Sequence, residues 1–232
     1  MLIKSLKRSS IDELISGILP KDAYFCWGFI NEHQGPLYEE ELRCISGSVP
    51  SRVMEFKAGR TCARRALALL GVGSCPIPIG TGRQPVWPPY IAGSITHDGV
   101  YCAATVANRT CISYIGIDLA VLRPVDADVY RLILTDNEIS HMKQRSSVIQ
   151  DELIIFSILF SVKEAIFKCI FPGVLQIFDF RDVELQVGKD GNLLINLLNK
   201  KVFGGFGYPM KASYIVCSEF VFSVVWVETG TA

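Results

Sequence analysis

Neither sign of charge predominates in this sequence: 23 Lys and Arg are matched by 23 Asp and Glu over 232 residues. A nucleic-acid binder relying on overall positive charge is thereby excluded, since nothing global would neutralise a phosphate backbone. Long hydrophobic runs are also missing. The most apolar stretch, 153–162, is about half of what a bilayer crossing takes, and Lys163 and Glu164 follow it at once. The start of the chain has basic residues but neither a continuous apolar region nor a small-residue cleavage site, so a soluble, cytoplasmic protein is expected. Histidine is scarce (His33, His97 and His141), and the eight cysteines are scattered with no CxxC pair. A Cys/His zinc site and a disulfide scaffold are both disfavoured, and the cysteines read as small core hydrophobes kept reduced.

What the sequence does have is core. Half of it is hydrophobic and a fifth is charged, which excludes wholesale disorder and suits one large domain or two small ones. The pattern predicts a helix over 51–70, stopped by Gly71-Val72-Gly73, and then a loop rich in Pro and Gly. Strands are expected at 91–96, 100–107 and 111–119, and helices at 126–145 and 151–171. Further strands are expected at 183–187 and 193–198, with SYIVC (213–217) and FVFSVVWVE (220–228) after them. Helices interleaved with antiparallel hairpins make an α+β fold, divided near residue 120 into halves 1–120 and 121–232.

Three places can carry chemistry. The helix over 51–70 holds Arg52, Lys57, Arg60, Arg64 and Arg65 against one acid, Glu55. A solvated basic face fits that spacing, and so does a phosphate clamp, because guanidinium forks match phosphate oxygens. Thr96 and His97 end a strand just before a Gly turn, where a His is either structural or a phosphate contact, and Arg83 in the preceding loop can approach the same place. Asp118 ends the third strand, and Glu164 and Lys168 form an i,i+4 pair on the helix over 151–171. Lys163 shares a helical sector with Phe156, Phe160, Phe167 and Ile170, so its ammonium must snorkel out or meet an anion. Carboxylates with few other ligands suit Mg²⁺, which completes its shell with waters and substrate phosphates. The residues thus lead to a Mg²⁺-dependent site for a phosphorylated cofactor that they do not name.

Five segments in this order, RVMEFKAGRTCARRAL (52–67), RQPVWP (83–88), GSITHD (93–98), IGIDLA (115–120) and FSVKEAIFK (160–168), resemble the 4′-phosphopantetheinyl transferases, in particular the enterobactin synthase component D branch of the surfactin-type class. The resemblance implies two similar α/β halves related by a pseudo-twofold axis, with coenzyme A and Mg²⁺ at their junction. It implies transfer of phosphopantetheine to a serine of a peptidyl, aryl or acyl carrier protein, in siderophore or nonribosomal peptide synthesis, with release of 3′,5′-ADP. A monomer is expected. Carried over by position, Arg52 and Arg60, with Arg64 as a weaker candidate, hold the 3′-phosphate end of coenzyme A. Thr96 and His97 contact its phosphates, and Arg83 substitutes for a lysine that relatives often have where Gln84 stands. Asp118 and Glu164 match metal ligands, and Lys163 and Lys168 match phosphate-contacting lysines. Glu164, or a metal-bound water beside it, is the implied general base. One departure matters: relatives usually have a second acid two residues after the Asp, and here that position is Ala120. A coenzyme A or nucleotide binder without transferase activity is the competing expectation.

Overall fold

In a computed structural model the described residues are 7–145, 149–188 and 191–230, with the side chains of 149 and 150 also left aside. The middle of the Gly-Lys-Asp-Gly-Asn segment (188–192), which reads as a turn between the strands expected at 183–187 and 193–198, lies outside them. In chain order the elements are α1 (Arg8–Ile18), β1 (Ala23–Phe29), α2 (Glu39–Cys44), α3 (Pro50–Leu69), β2 (Ile91–Asp98), β3 (Tyr101–Asn108), β4 (Ile112–Val121), α4 (Ala127–Ile133), α5 (Asp136–Arg145), α6 (Ile149–Val174), β5 (Val183–Val187), β6 (Leu193–Leu197), α7 (Lys200–Phe203), β7 (Lys211–Val216) and β8 (Phe220–Glu228). No helix among the described residues is long and apolar enough to cross a membrane.

The fold is α+β and repeats one topology twice. In the first half the order strand, helix, strand, strand (β1, α3, β2, β3) gives a sheet ordered β1-β3-β2; in the second, β4, α6, β7, β8 gives β4-β8-β7. The last strand of each unit is central, and all pairings are antiparallel. By this pairing β4 belongs to the second sheet, whereas a division at residue 120 assigns most of it to the first half.

The central strands bury both faces, so they read as continuous apolar runs. On β3, Cys102, Ala104 and Val106 meet α3 while Tyr101 and Ala103 face the other sheet; on β8, Val221, Val225 and Val227 pack with α6 while Phe220, Phe222 and Val224 turn inward. Between the sheets Trp27, Ile115, Ile117, Leu119 and Phe222 form the core that joins the halves, closed by Ile15 of α1. Along the same junction β2 lends side chains to the free N–H groups of β4. Ser94 Oγ accepts from Ile117 N at 3.0 Å, Thr96 Oγ1 from Leu119 N at 3.3 Å, and Asp98 Oδ2 from Val121 N at 2.9 Å. The constant offset makes the two strands run parallel, and the hydroxyls and carboxylate satisfy donors that a backbone ladder would otherwise take.

The helix expected over 126–145 is two helices. Leu134 is extended, and Thr135 and Glu138 close a capping box: Glu138 Oε2 accepts from Thr135 N at 2.7 Å and Thr135 Oγ1 from Glu138 N at 3.2 Å. The T-D-N-E signature was present in the sequence.

Gly116 sets how deeply α6 seats on β4. A Cβ there would stand 2.0 Å from Ala165 O and 2.5 Å from Cys169 N, both backbone atoms of the helix. Gly116→Ala therefore forces α6 away from the sheet. We expect about 1–3 kcal/mol of destabilisation from overpacking. Thermal melting checks this: an unchanged melting temperature would show that α6 can seat without the close approach.

Candidate functional site

Asp118 lies two residues beyond Gly116 on β4 and so faces the same helix. The close approach brings Glu164 and Lys168, which directly precede Ala165 and Cys169, onto it. Lys168 Nζ donates to Asp118 Oδ1 at 2.7 Å and to Thr96 Oγ1 at 3.2 Å, and lies 3.9 Å from Glu164 Oε2. Thr96 Oγ1 also donates to Asp118 Oδ1 at 2.9 Å. Asp118 is 5% exposed, so its charge is held by these donors rather than by water. Burial pushes the Glu164 carboxyl up, Lys168 opposes this, and the Asp118 charge adds to it. The result is a carboxylate more basic than usual beside a lysine ammonium.

A second cluster stands at the start of α3. Arg52 Nη1 donates to His97 Nε2 at 3.0 Å and to Glu55 Oε2 at 3.3 Å, and Glu55 Oε2 is 3.7 Å from His97 Nδ1. Burial lowers the His97 pKa, Glu55 opposes this, and Arg52 and Lys168 reinforce it, so the ring is neutral at pH 7 and accepts from Arg52. Arg60 is 6% exposed; its Nε donates to Ile77 O at 2.6 Å and its guanidinium lies over the Phe56 ring at 4.1 Å. Burial brings its pKa down to about 10. It stays a cation.

The two clusters line adjoining pockets. One, of about 120 Å³, is walled by Arg52, Glu55, Arg60, Arg83 and His97; the other, of about 260 Å³, by Arg83, Gln84, Ser94, Glu164, Lys168 and Phe171. They share Arg83, Pro85 and Ile95 and form one cleft between the halves. Arg83 has φ +66° in a turn closed by its own N–H to Gly80 O at 2.9 Å. A Cβ on the neighbouring Gly82 would come within 2.4 Å of the Phe171 ring, so glycine lets the loop lie on α6 without displacing that ring. Gln84 was read only as a missing lysine. In the structure its Oε1 is buried without a partner at the wall of the larger pocket, an acceptor waiting for a donor.

Two expected residues are not brought to the cleft. Lys163, 1% exposed, donates to Glu138 Oε2 at 2.7 Å and to the carbonyls of Ile133 and Phe180, each at 3.0 Å. It meets an anion, but inside the C-terminal half, on another side of α6 from Lys168. Arg64 donates to Glu41 Oε1 and to Pro36 O, both at 2.7 Å, and Glu41 is itself fully buried. Its guanidinium thus ties α2 and the segment before it to α3.

Residues 39–107 match the family described as 4′-phosphopantetheinyl transferase N-terminal domain, and residues 114–214 match the 4′-phosphopantetheinyl transferase superfamily. The chain is 32% identical over 184 residues to 4′-phosphopantetheinyl transferase Svp of Streptomyces mobaraensis, covering 76% of this chain and 73% of that protein. This chain is a member of the 4′-phosphopantetheinyl transferase family. A second transferase, PptT of Mycobacterium tuberculosis, is 30% identical over 185 residues, 78% of this chain and 80% of that one. Enterobactin synthase component D of Escherichia coli is 36% identical over 121 residues, 50% of this chain and 54% of that protein. In this transferase the two family segments meet at the cleft, the first supplying Arg52, Arg60 and His97 and the second Glu164 and Lys168, with Asp118 buried against Lys168.

The donor set of the cleft also fits a hard divalent cation. Two carboxylates and a hydroxyl offer oxygen ligands, and the pair already shares one cation, the Lys168 ammonium. Ala120, buried at 4% exposure, adds no ligand.

Proposed function

We propose that this protein transfers the 4′-phosphopantetheine group of coenzyme A to a serine of a carrier protein and releases 3′,5′-ADP. The observation that carries the reading is the Asp118–Lys168–Glu164 cluster, which opens into one cleft with the Arg52–His97 cluster and Arg60. Arg52 and Arg60 would hold the 3′-phosphate end of coenzyme A, and Arg83 and His97 the phosphates between. The orphan Gln84 Oε1 suits an amide N–H of the pantetheine arm. Glu164 removes the proton of the carrier serine as its oxygen attacks phosphorus, and the P–O bond to the nucleotide breaks. Lys168 stabilises negative charge on the transferring phosphate, so catalysis is mainly positioning and electrostatics. Mg²⁺ would be held by Asp118 and Glu164 and would supply charge neutralisation on the pyrophosphate. Peptide-synthetase or siderophore assembly lines are the proposed context, supported by the partial match to enterobactin synthase component D. The setting is proposed as cytoplasmic and the protein as a monomer.

The testing experiment is intact-mass analysis of a peptidyl carrier protein incubated with this protein, coenzyme A and Mg²⁺. A gain of one phosphopantetheinyl group that EDTA abolishes supports the reading. Ala120 favours the competing one, since the position offers no carboxylate: no gain on several carriers, with coenzyme A still bound by calorimetry, would show a non-catalytic binder. If the enzyme is active, Ala120→Glu is expected to lower the Mg²⁺ concentration for half-maximal rate. An unchanged Mg²⁺ dependence would show that the second acid is not missed.

A further inference from the structure

Away from the cleft, on the far side of α3, three thiols stand in a row. Cys62 Sγ is 3.7 Å from Cys26 Sγ on one side and 3.5 Å from Cys102 Sγ on the other. The packing that produces this is made of small side chains: Ala58, Cys62, Ala63 and Ala66 of α3 lie against Cys26, Cys102 and Ala104 of the sheet. Cys62 and Cys102 are buried, whereas Cys26 is half-buried on β1, the outer strand of its sheet. Arg65, about one turn after Cys62 on α3, donates to His33 Nδ1 at 2.9 Å.

We propose that Cys26 and Cys62 form a reversible disulfide, making this a thiol-oxidation site whose co-reactant is a low-molecular-weight disulfide of the glutathione class. Cys26 attacks one sulfur of the incoming disulfide as a thiolate, forming a mixed disulfide and expelling one thiolate. Cys62 then attacks the Cys26 sulfur; the protein S–S bond forms, the mixed bond breaks, and the Cys62 proton leaves with the second small thiol. Two electrons pass from the protein to the co-reactant, which becomes two thiols. The surroundings suit this division of roles. The contact with Cys62 holds the Cys26 thiol below its ordinary pKa, against burial and with help from the Arg65 and Arg8 charges, while its two thiol neighbours and burial hold the Cys62 thiol up. A half-exposed thiolate beside a resolving thiol is the arrangement oxidation selects.

The same cluster looks at first like a soft-metal site, because a His33 ring nitrogen and the two sulfurs lie within 4.8 Å of one another. His33 argues against it. Its Nδ1 lone pair is taken by Arg65, which in a neutral ring leaves the proton on Nε2, and Nε2 is buried without a partner. Neither nitrogen offers a free lone pair, and the nearby guanidinium repels a cation.

Closing the 3.7 Å gap to the about 2 Å of a disulfide draws α3 toward β1. Since α3 also carries Arg52 and Arg60, the oxidised protein is expected to bind coenzyme A at least ~10-fold more weakly. That consequence rests on the proposed role of α3, while the cross-link itself does not. The test treats the full chain with oxidised glutathione, alkylates the remaining thiols, and maps peptides by mass without reduction. The expected result is a Cys26–Cys62 linked peptide that dithiothreitol removes, and, in Cys62→Ser, a single glutathione retained on Cys26. In Cys26→Ser the linked peptide and the oxidation-dependent loss of coenzyme A affinity both disappear. Glutathione on other cysteines with no 26–62 link overturns the proposal, as does one zinc per chain protecting Cys26 and Cys62 from alkylation until a chelator is added. A cross-linked protein with unchanged coenzyme A affinity, in a preparation that still loads carriers, overturns the coupling to α3. Failure of the reduced protein to load carriers, where oxidation still forms the link, would count against the transferase reading alone.

Discussion

Glu164→Gln lowers the rate of carrier loading by about 10²–10⁴-fold, the range a positioned general base contributes, while the fold and coenzyme A affinity are kept. The amide preserves size and leaves the Lys168 hydrogen bonds to Asp118 and Thr96 in place, but it cannot take a proton. Burial has already made the Glu164 carboxylate more basic, and the adjacent Lys168 keeps an ionised population beside the reacting centre. The measurement is single-turnover transfer followed by mass, with calorimetry for coenzyme A and thermal melting as controls. A rate within a few-fold of the parent would remove Glu164 from the chemistry and leave Asp118 and Lys168 as an electrostatic pair. A large rise in coenzyme A Kd instead would make Glu164 a binding residue.

Lys163→Met is expected to act on stability. The ammonium is 1% exposed, and its loss leaves the buried Glu138 carboxylate without its counter-charge, a break that typically costs about 3–5 kcal/mol. For a chain of this size that corresponds to roughly 6–20 °C of melting temperature. Glu138 also accepts from Thr135 N through Oε2 and from Leu185 N through Oε1, each at 2.7 Å, so an amide there removes the charge but keeps only one of the two acceptors. Lys163→Met combined with Glu138→Gln should therefore recover part of the loss. The discriminating readout is the coenzyme A KM of the single variant at a temperature where it remains folded. An unchanged KM fits a structural lysine, whereas a raised KM with an unchanged melting temperature would return Lys163 to phosphate contact.

The contrast between the two lysines shows how far the sequence reaches. Periodicity placed Lys163, Glu164 and Lys168 on one helix and put Glu164 and Lys168 one turn apart, and both statements hold in the structure. The five ordered segments pointed to the family, and the matches over 39–107 and 114–214 bear that out. Strands buried on both faces were legible as apolar runs, and so was the α3 boundary near Leu70. The break at Leu134 was legible too, in a capping signature that the longer apolar period masked.

Other outcomes depended on partners remote in sequence. Lys163 and Lys168 differ by roughly 140° around the helix, and nothing local says which of the two faces the junction. Gly116 decides that by admitting the backbone of α6, 49 residues later, onto β4. Arg60 and Arg64 share a sector of α3, yet Glu41 draws Arg64 into the scaffold while Arg60 lines the cleft. β1 carries no clean alternation, because α3 covers one of its faces and the core between the sheets the other. The sequence by itself determined which residue types recur at helical and strand periods, and hence the family and most elements from α3 onward, but not α1, β1 or α2. Which of its charged side chains share a cleft and which are spent inside the scaffold was decided only by the tertiary structure. Charges act through space over a few ångströms, and those distances are set by packing between elements that periodicity does not describe.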